Sequence, residues 1–330
     1  MKKGEMIILP WAVRRILYEE TDEQHRISMP ELLAQLQENG MTVSRRSVYK
    51  AIEIMKEYGE NIVFSRKGGF QGYYIQRRWT PAEILFLRET VNSSNALSAA
   101  ASENLNAKLL SLLSNPQKNS LPEEMPSASK TDNEHVLVII ETLLEAIAGG
   151  DAADFLYYDI TIGHQRSYRR DRTHYHLVPC AVVSRAGRWY CIFYSRTHRS
   201  FSNYRIDKME DVQIAPDEGS EPIRFDLQAH MRDSFQMYHG EPDTVTVRFE
   251  KDMASIVYDE FGSDMIISEV TDRTFTANIR TSVTPTLISW LVQFTGRLEV
   301  LRPQTLIGQL TGLSGKIIQQ YRRKEDEQQS

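Results

Sequence analysis

The sequence predicts an α+β protein with several domains, and three observations support this fold class. The chain has 330 residues, more than one ordinary hydrophobic core accommodates. Apolar residues recur at helical spacing in the first part of the chain, whereas alternating apolar runs typical of strands dominate its middle. The last third has the predicted element order βαββαβ, which is typical of a ferredoxin-like domain.

Composition and charge limit the class of protein. With 41% hydrophobic and 25% charged residues and no apolar run of about 18 residues, we expect a cytoplasmic protein with no membrane partner. The net charge is -5, but residues 1–78 contain 13 Lys and Arg against 10 Asp and Glu. Basic charge is therefore concentrated at the front of the chain.

The first 78 residues predict a winged helix-turn-helix domain. A first amphipathic helix is expected from about Pro10 to Glu20, and a capping box of Ser28 and Glu31 predicts the start of a second. Ser44 is expected to cap a third helix, and a hairpin with a basic tip follows between residues 62 and 75. Helix, helix, helix, hairpin is the winged-helix order.

The third helix of this head carries the chemistry expected for binding double-stranded operator DNA. Its N-terminal residues are placed to contact base edges while neighbouring cations contact phosphates. The alternative is a solvated helix face, since Glu53 and Glu57 lie nearby and can form ordinary pairs along the helix. The candidate DNA-binding residues are Ser44, Arg45, Arg46, Ser47, Tyr49, Lys50, Arg66 and Lys67.

Three further regions follow the head. Residues 79–150 are expected to form a helical linker or dimerisation region, with a flexible loop at 115–131 because that segment is rich in Ser, Pro, Asn and Lys. Residues 151–216 contain alternating apolar runs and are expected to form a small domain of strands. Residues 217–330 are expected to form the ferredoxin-like domain, with Trp290 in its core and a final helix that ends near Tyr321.

The predicted strand domain is basic in an otherwise acidic half of the protein. Between Tyr157 and Ile214 there are 10 Arg and Lys against 5 Asp and Glu, together with four histidines. Arginine forks bind phosphate, and aromatic faces stack on bases. The pattern therefore favours an anionic effector such as a nucleotide or a nucleic-acid strand.

Two runs in this strand domain resemble a WYL domain. They are Gly187-Arg188-Trp189-Tyr190-Cys191-Ile192-Phe193-Tyr194 and Asn203-Tyr204-Arg205-Ile206-Asp207-Lys208-Met209, with Cys191 in place of the family's Leu. The resemblance implies an SH3-like or Sm-like barrel that senses a ligand behind a DNA-binding head. Residues 43–52 are similar to the recognition helix of DeoR-like regulators, and residues 287–303 to the C-terminal extension often attached to WYL domains.

Carried over by position, the resemblance makes Tyr190, Arg205 and Lys208 ligand-binding candidates, with Lys208 where the family usually has Arg. Weaker candidates are Tyr175, His176, Arg196 and Arg199. A plain alternative for Arg205 is an ion pair with Asp207 or Asp211. No cofactor or metal is expected, since His174, His176 and Cys180 have no second ligand pair.

Two functions from different classes remain open. The first is a homodimeric transcription regulator in which a nucleotide or single-stranded effector at the barrel changes the spacing or order of paired DNA-binding heads. The second is an enzyme acting on nucleic acid or nucleotide, with His174, His176 or His198 as acid-base groups.

Overall fold

A computed structural model of the protein describes residues 5–66, 70–123, 126–237 and 242–328. The chain divides after Glu134 into two compact units. Helices and antiparallel strands are combined along the chain, so the predicted α+β class is confirmed. Within the described ranges, every helix is too short or too polar to span a bilayer.

The first unit opens with the predicted helices and hairpin. These are α1 (Glu5–Glu20), α2 (Met29–Glu38), α3 (Arg45–Glu57), β1 (Ile62–Ser65) and β2 (Gly72–Ile75). Buried apolar side chains from all five elements form one core. The Ser28–Glu31 capping box is confirmed, because each side chain accepts a hydrogen bond from the other residue's backbone N–H.

Helix α1 begins at Glu5, five residues before the start that Pro10 suggested. Leu9 is fully buried in the core of the first unit, and this packing extends the helix ahead of the proline. Proline removes only one backbone donor, and tertiary contacts offset that loss here.

Three more helices complete the first unit: α4 (Pro81–Ser93), α5 (Ala99–Leu110) and α6 (Asn115–Asn119). Helix α6 corrects the prediction that residues 115–131 form only a flexible loop. Ser114 caps it in a box with Gln117, a start signal that the polar composition concealed. Further along the segment, the Lys130 ammonium donates to the carbonyls of Val91, Asn92 and Ser94, which ties that part of the chain to the first unit.

The second unit starts with helix α7 (Val136–Gly149), which the sequence assigned to the linker. Ile139 and Leu143 are buried in the same core as Phe155 and Ile206 of the following sheet. The boundary between compact units therefore lies before this helix and not after it, because its apolar face needs the sheet for burial.

Six strands follow α7 and form a curled antiparallel sheet. They are β3 (Ala152–Ile160), β4 (Arg166–Tyr168), β5 (Tyr175–Arg185), β6 (Arg188–Ser195), β7 (Ser200–Arg205) and β8 (Met209–Ala215). The ladder runs β8-β3-β5-β6-β7, and β4 pairs with the far end of β3. The β5–β6 register shifts between Pro179 and Ala181, as expected where proline cannot donate to the ladder.

A short helix, α8 (Leu227–Asp233), leads to the last elements. These are β9 (Pro242–Glu250), α9 (Ala254–Phe261), β10 (Ile266–Ser268), β11 (Thr274–Ser282), α10 (Pro285–Gln293), β12 (Leu298–Arg302) and α11 (Gln304–Gln328). The predicted βαββαβ order is present, with sheet order β10-β11-β9-β12 and Trp290 in the core. Helix α11 continues past Tyr321, where the sequence suggested that it ends.

Candidate functional site

Helix α3 separates a buried face from a basic exposed face. Val48, Ala51, Ile52 and Met55 are buried, and the Ser44 hydroxyl accepts a hydrogen bond from the Ser47 backbone N–H at 3.2 Å. The opposite face exposes most of the predicted DNA-binding residues, and Ser47 is half-buried beside the cap. The exposed residues are Arg45, Arg46, Tyr49 and Lys50.

The cations on this face are placed against the preference of the helix itself. Arg45 and Arg46 occupy the first two positions of α3, and its first turn contains no acidic residue. The positive end of a helix dipole disfavours cations there by about 0.3–1 kcal/mol each. Within the described part of the chain, Arg45, Arg46 and Lys50 have no ion-pair partner, so the alternative of pairing with Glu53 or Glu57 gains no support.

The hairpin adds one basic residue to the first unit's exposed surface. The guanidinium of Arg66 lies 5.6 Å from the ring centroid of Phe64, and that ring packs against Tyr73. Lys67, predicted as its DNA-binding neighbour, lies outside the described residues.

The second unit contains a cleft of about 500 Å³ that brings three predicted ligand residues together. Tyr190 and Arg205 are direct cross-strand partners on β6 and β7, and Lys208 follows in the next turn. The lining residues are Tyr157, Arg169, Arg188, Tyr190, Phe201, Ser202, Asn203, Arg205, Lys208, Gln236 and Met237.

Carboxylates hold the cations of this cleft in place. Asp159 accepts from Lys208 Nζ and from Arg169 Nε, each at 2.7 Å. Arg205 donates to both oxygens of Asp207 at 3.0 and 2.5 Å, so the pairing with Asp207 that the sequence left open is present. With Arg188 4.0 Å from Asp207, four cations meet two carboxylates. The cleft is therefore electropositive even with its ion pairs formed.

The pKa values in the cleft follow from these contacts. Hydrogen bonds from Arg169 and Lys208 lower the pKa of Asp159 to about 2. Burial raises the pKa of Tyr157 to about 12, which keeps this phenol neutral near neutral pH. Burial lowers the pKa of Arg205, but the hydrogen bond to Asp207 and the charge interactions with Asp207, Tyr190 and Tyr157 together outweigh burial, so that pKa is raised. The cleft is permanently charged near neutral pH.

The segment after α8 covers one side of the cleft and connects it to the last domain. Asn203 donates to the Met237 carbonyl at 2.7 Å, and its oxygen lies 2.9 Å from Nε2 of the buried His230 on α8. At the end of the same helix, Asp233 accepts from Arg280 of β11 at 3.0 Å. A displacement of Asn203 can therefore be transmitted to the C-terminal sheet through its contact with His230 on α8 and through the bond between Asp233 and Arg280.

The weaker ligand candidates do not line the cleft. His176 lies 2.7 Å from Asp154, and Arg196 forms a two-bond pair with Asp217. Arg199 lies in the turn after β6 with a left-handed φ of 50°. Tyr175 stacks on Phe155 and touches the cleft only indirectly, through the edge of Tyr157.

The histidines of the enzyme alternative also lie outside the cleft. His174 is 2.8 Å from Asp211, a pairing between distant parts of the chain that the sequence did not reveal. Burial raises the pKa of the Cys180 thiol to about 11 and that of the Cys191 thiol well above its usual value, so neither is a reactive thiolate. Among the described residues, no three His, Cys, Asp or Glu are grouped to hold a metal.

Sequence reasoning missed several residues that line the cleft. Arg188 stands immediately before the Trp-Tyr pair, so the motif itself could have indicated it. Arg169 entered only as one of the 10 Arg and Lys counted between Tyr157 and Ile214. Gln236 and Met237 come from an irregular segment with no periodic signal, and only folding brings them to the cleft.

Comparisons with known proteins identify two domains in the second unit. Residues 138–214 match the WYL domain family, and residues 241–313 match the WCX domain family. The chain is 24% identical over 280 residues to the uncharacterised HTH-type transcriptional regulator YobV of Bacillus subtilis (strain 168), covering 79% of this chain and 84% of that protein.

A solved structure, the proteasome accessory factor B/C (PafBC) of Arthrobacter aurescens, aligns with 14% identity and a TM-score of 0.29. The alignment covers 92% of this chain, which spans 47% of that one.

The resemblance inferred from the Trp-Tyr strand is confirmed by the domain matches. The chain therefore contains a WYL domain followed by a WCX domain.

Proposed function

We propose that this protein is a transcription regulator that binds operator DNA with its N-terminal head and an anionic effector in the cleft of its WYL domain. The observation that carries the proposal is the exposed basic face of α3, whose cations have no ion-pair partner among the described residues. The name of the Bacillus subtilis relative supports the same class of function.

We assign a winged helix-turn-helix fold to the head, with α3 as the recognition helix in the major groove. Arg45 and Arg46 at the start of α3 oppose the helix dipole, and a phosphate bound there removes that penalty. Tyr49 and Lys50 lie on the same face, where base edges and phosphates are within reach of such a helix. Arg66 on the hairpin supplies a further phosphate contact.

The sensor part of the proposal rests on the cleft around Tyr190, Arg205 and Lys208, in an SH3-like or Sm-like barrel. The cations outnumber the carboxylates there, so an anion such as a nucleotide phosphate gains attraction from preformed guanidinium groups. The ring of the half-buried Tyr190 lines the same cleft and can stack on a base. Contacts from Asn203 through α8 give the effector a route to the ferredoxin-like WCX domain.

We further propose that the protein acts as a homodimer on an inverted repeat. One recognition helix reads a short half-site, and two heads are the usual route to specific affinity. Light scattering at micromolar concentration, with and without operator, should give the mass of two chains. A single-chain mass in both conditions contradicts the dimer.

The regulator proposal is tested by recovering bound DNA. The purified protein is incubated with labelled genomic fragments at about 150 mM salt, and the retained fragments are sequenced. We expect a discrete set of sites that share an inverted repeat. Retention of fragments without any shared sequence contradicts operator binding, whatever the cleft binds.

A further inference from the structure

The turn between β4 and β5 has an unusual backbone next to the cleft. Arg170, Asp171 and Arg172 have φ angles of 55°, 51° and 63°, so three consecutive non-glycine residues lie in the left-handed region. Side chains disfavour this region, and such backbone is retained mainly where surrounding contacts or a ligand require it. The backbone of this turn therefore suggests a functional role.

Two arginines of this turn are held on tyrosine rings with their charges uncompensated. The guanidinium of Arg170 lies 4.6 Å from the ring centroid of Tyr175, and that of Arg172 lies 4.8 Å from that of Tyr168. Both arginines are exposed, and within the described ranges neither forms an ion pair with a carboxylate. A guanidinium fixed on a ring still has its N–H edge free for an anion.

The neighbouring arginines serve as an internal contrast. Arg166 and Arg169 also lie over tyrosines, at 4.6 and 5.0 Å from the ring centroids, but they are ion-paired with Glu210 and Asp159. Of these four arginines, Arg170 and Arg172 are the two whose charge is not paired with a carboxylate among the described residues.

The turn is continuous with the cleft. Arg169, the first residue of the turn, lines the cleft, and so does Tyr157. The Tyr175 ring, on which Arg170 rests, meets the edge of Tyr157 with ring centroids 6.4 Å apart. Arg170 is thus next to the cleft both along the chain, through Arg169, and through the contact between the Tyr175 and Tyr157 rings.

We propose that Arg170 and Arg172 form a second anion subsite beside the cleft, so that the effector carries several phosphate groups bound simultaneously. This inference rests on the proposed anion binding in the cleft and specifies its ligand. The shared chemistry is a chain of phosphates, as found in a nucleotide triphosphate or in the backbone of a single strand. Asp171 between the two arginines opposes binding, so its removal should strengthen it.

The test compares ligands that differ in the number of phosphates. Inorganic phosphate, inorganic triphosphate and thymidine oligomers of two, four and eight nucleotides are titrated by calorimetry into the full-length protein. The test variant is Arg170→Gln with Arg172→Gln, and the control is Arg224→Gln with Arg273→Gln. The control removes two exposed arginines that have no ion pair among the described residues, so both variants lose the same charge.

We expect wild-type affinity to rise with phosphate number, and the test variant to lose about tenfold or more in affinity for the multi-phosphate probes. Its affinity for inorganic phosphate should stay within about twofold of wild type, because that ion binds in the cleft. Asp171→Asn should bind the octamer more tightly. If wild-type affinity exceeds that for inorganic phosphate only with triphosphate, or only with the oligomers, this difference identifies the source of the phosphate chain. Either result supports the subsite.

Three results overturn the proposal. If the test variant binds every probe as the control does, the subsite is wrong, whereas cleft binding of phosphate stands. If phosphate and longer probes bind wild type equally, the ligand carries one anionic group and the subsite is again wrong. If wild type binds none of the probes, anion binding in the cleft fails with it. Should the Gln pair unfold, judged by circular dichroism, Arg170→Lys with Arg172→Lys is measured, and its octamer affinity must fall below that of the control.

Discussion

The exposed face of α3 and the WYL cleft are both basic, but they present charge differently. Arg45, Arg46 and Lys50 stand in solvent without ion pairs among the described residues. In the cleft, Arg205 is half-buried against Asp207, and Lys208 is fixed by Asp159. The first surface has solvent-exposed, unpaired charge among the described residues, whereas the second has charge that ion pairs hold in place and partly neutralise.

This difference separates two kinds of anion recognition. Mobile surface cations gain affinity mainly by releasing counterions from a polyanion, so their binding is strong at low salt and weakens steeply as salt rises. Fixed guanidinium groups lose less conformational entropy on binding and impose a geometry, which favours selection of one ligand. The contrast fits the proposed DNA-binding head and the proposed anion sensor in one chain.

The largest effect is expected at the head. Arg46→Ala and Lys50→Ala should each weaken operator binding by about 1–3 kcal/mol, because each removes a phosphate or base contact. Mobility-shift titrations at two salt concentrations measure this. The difference shrinks at high salt if the residue touches only phosphate.

Lys108→Ala is the control for those variants, since Lys108 is an exposed cation on α5 outside the three helices and hairpin of the head. It should bind operator as wild type does. Unchanged affinity of both Arg46→Ala and Lys50→Ala at low salt would remove α3 from the DNA interface.

The next effect is expected in the cleft. Arg205→Lys keeps the charge but loses the two-bond fork. In wild type we expect the effector to change the free energy of operator binding by about 1–3 kcal/mol. In the variant this change should be smaller. Basal operator affinity should stay unchanged. Arg205→Ala should remove the coupling and also destabilise the second unit, since Asp207 is left buried without its main partner.

Operator titrations with and without triphosphate measure this coupling, and thermal unfolding reports the stability loss separately. A folded Arg205→Lys protein that responds to the effector as wild type does contradicts the role of the fork. That outcome would leave Arg205 as a structural partner of Asp207, the plain alternative from the sequence.

Local signals predicted the head well. The capping boxes and the apolar stripe of α3 depend on spacings of three or four residues, so a single sequence contains all the information that they need. The exception is the start of α1, where the burial of Leu9 by distant residues extends a helix that Pro10 locally opposes.

The cleft was predicted only in part, because its geometry depends on pairings between distant residues. The motif indicated Tyr190, Arg205 and Lys208, and the strand register brings the first two together. Asp159 lies 49 positions before Lys208, and no local pattern relates them. No local pattern relates Asn203 to Met237 either. The carboxylates and the segment that covers the cleft could therefore be identified only from the folded structure.

A smaller effect is expected from the cap of α3. Ser44→Ala should lower the free energy of unfolding by about 1 kcal/mol, because the Ser47 backbone N–H loses its acceptor. Urea unfolding measures this, with Ser47→Ala as a comparison that removes the hydroxyl contact but keeps the cap acceptor. An equal loss in both variants shows that the contact between hydroxyls, rather than the cap, stabilises the helix start.

The smallest effect concerns Asp159 and is a dependence on pH. Hydrogen bonds from Arg169 and Lys208 lower the folded-state pKa of Asp159 from 3.8 to about 2. A carboxylate with a depressed pKa stabilises the folded protein fully above its unfolded value, and that contribution is lost as pH falls toward the folded value. Wild type should therefore be more stable than Asp159→Asn at pH 6, and the gap should narrow between about pH 4 and pH 2. Asp171→Asn removes the same charge from an exposed residue without an ion pair among those described, and it should show no such narrowing. Urea midpoints at several pH values measure the difference in stability between wild type and Asp159→Asn. If this difference is constant with pH, Arg169 and Lys208 do not hold the carboxylate in solution. The charge of the cleft is then unpaired, like that of α3.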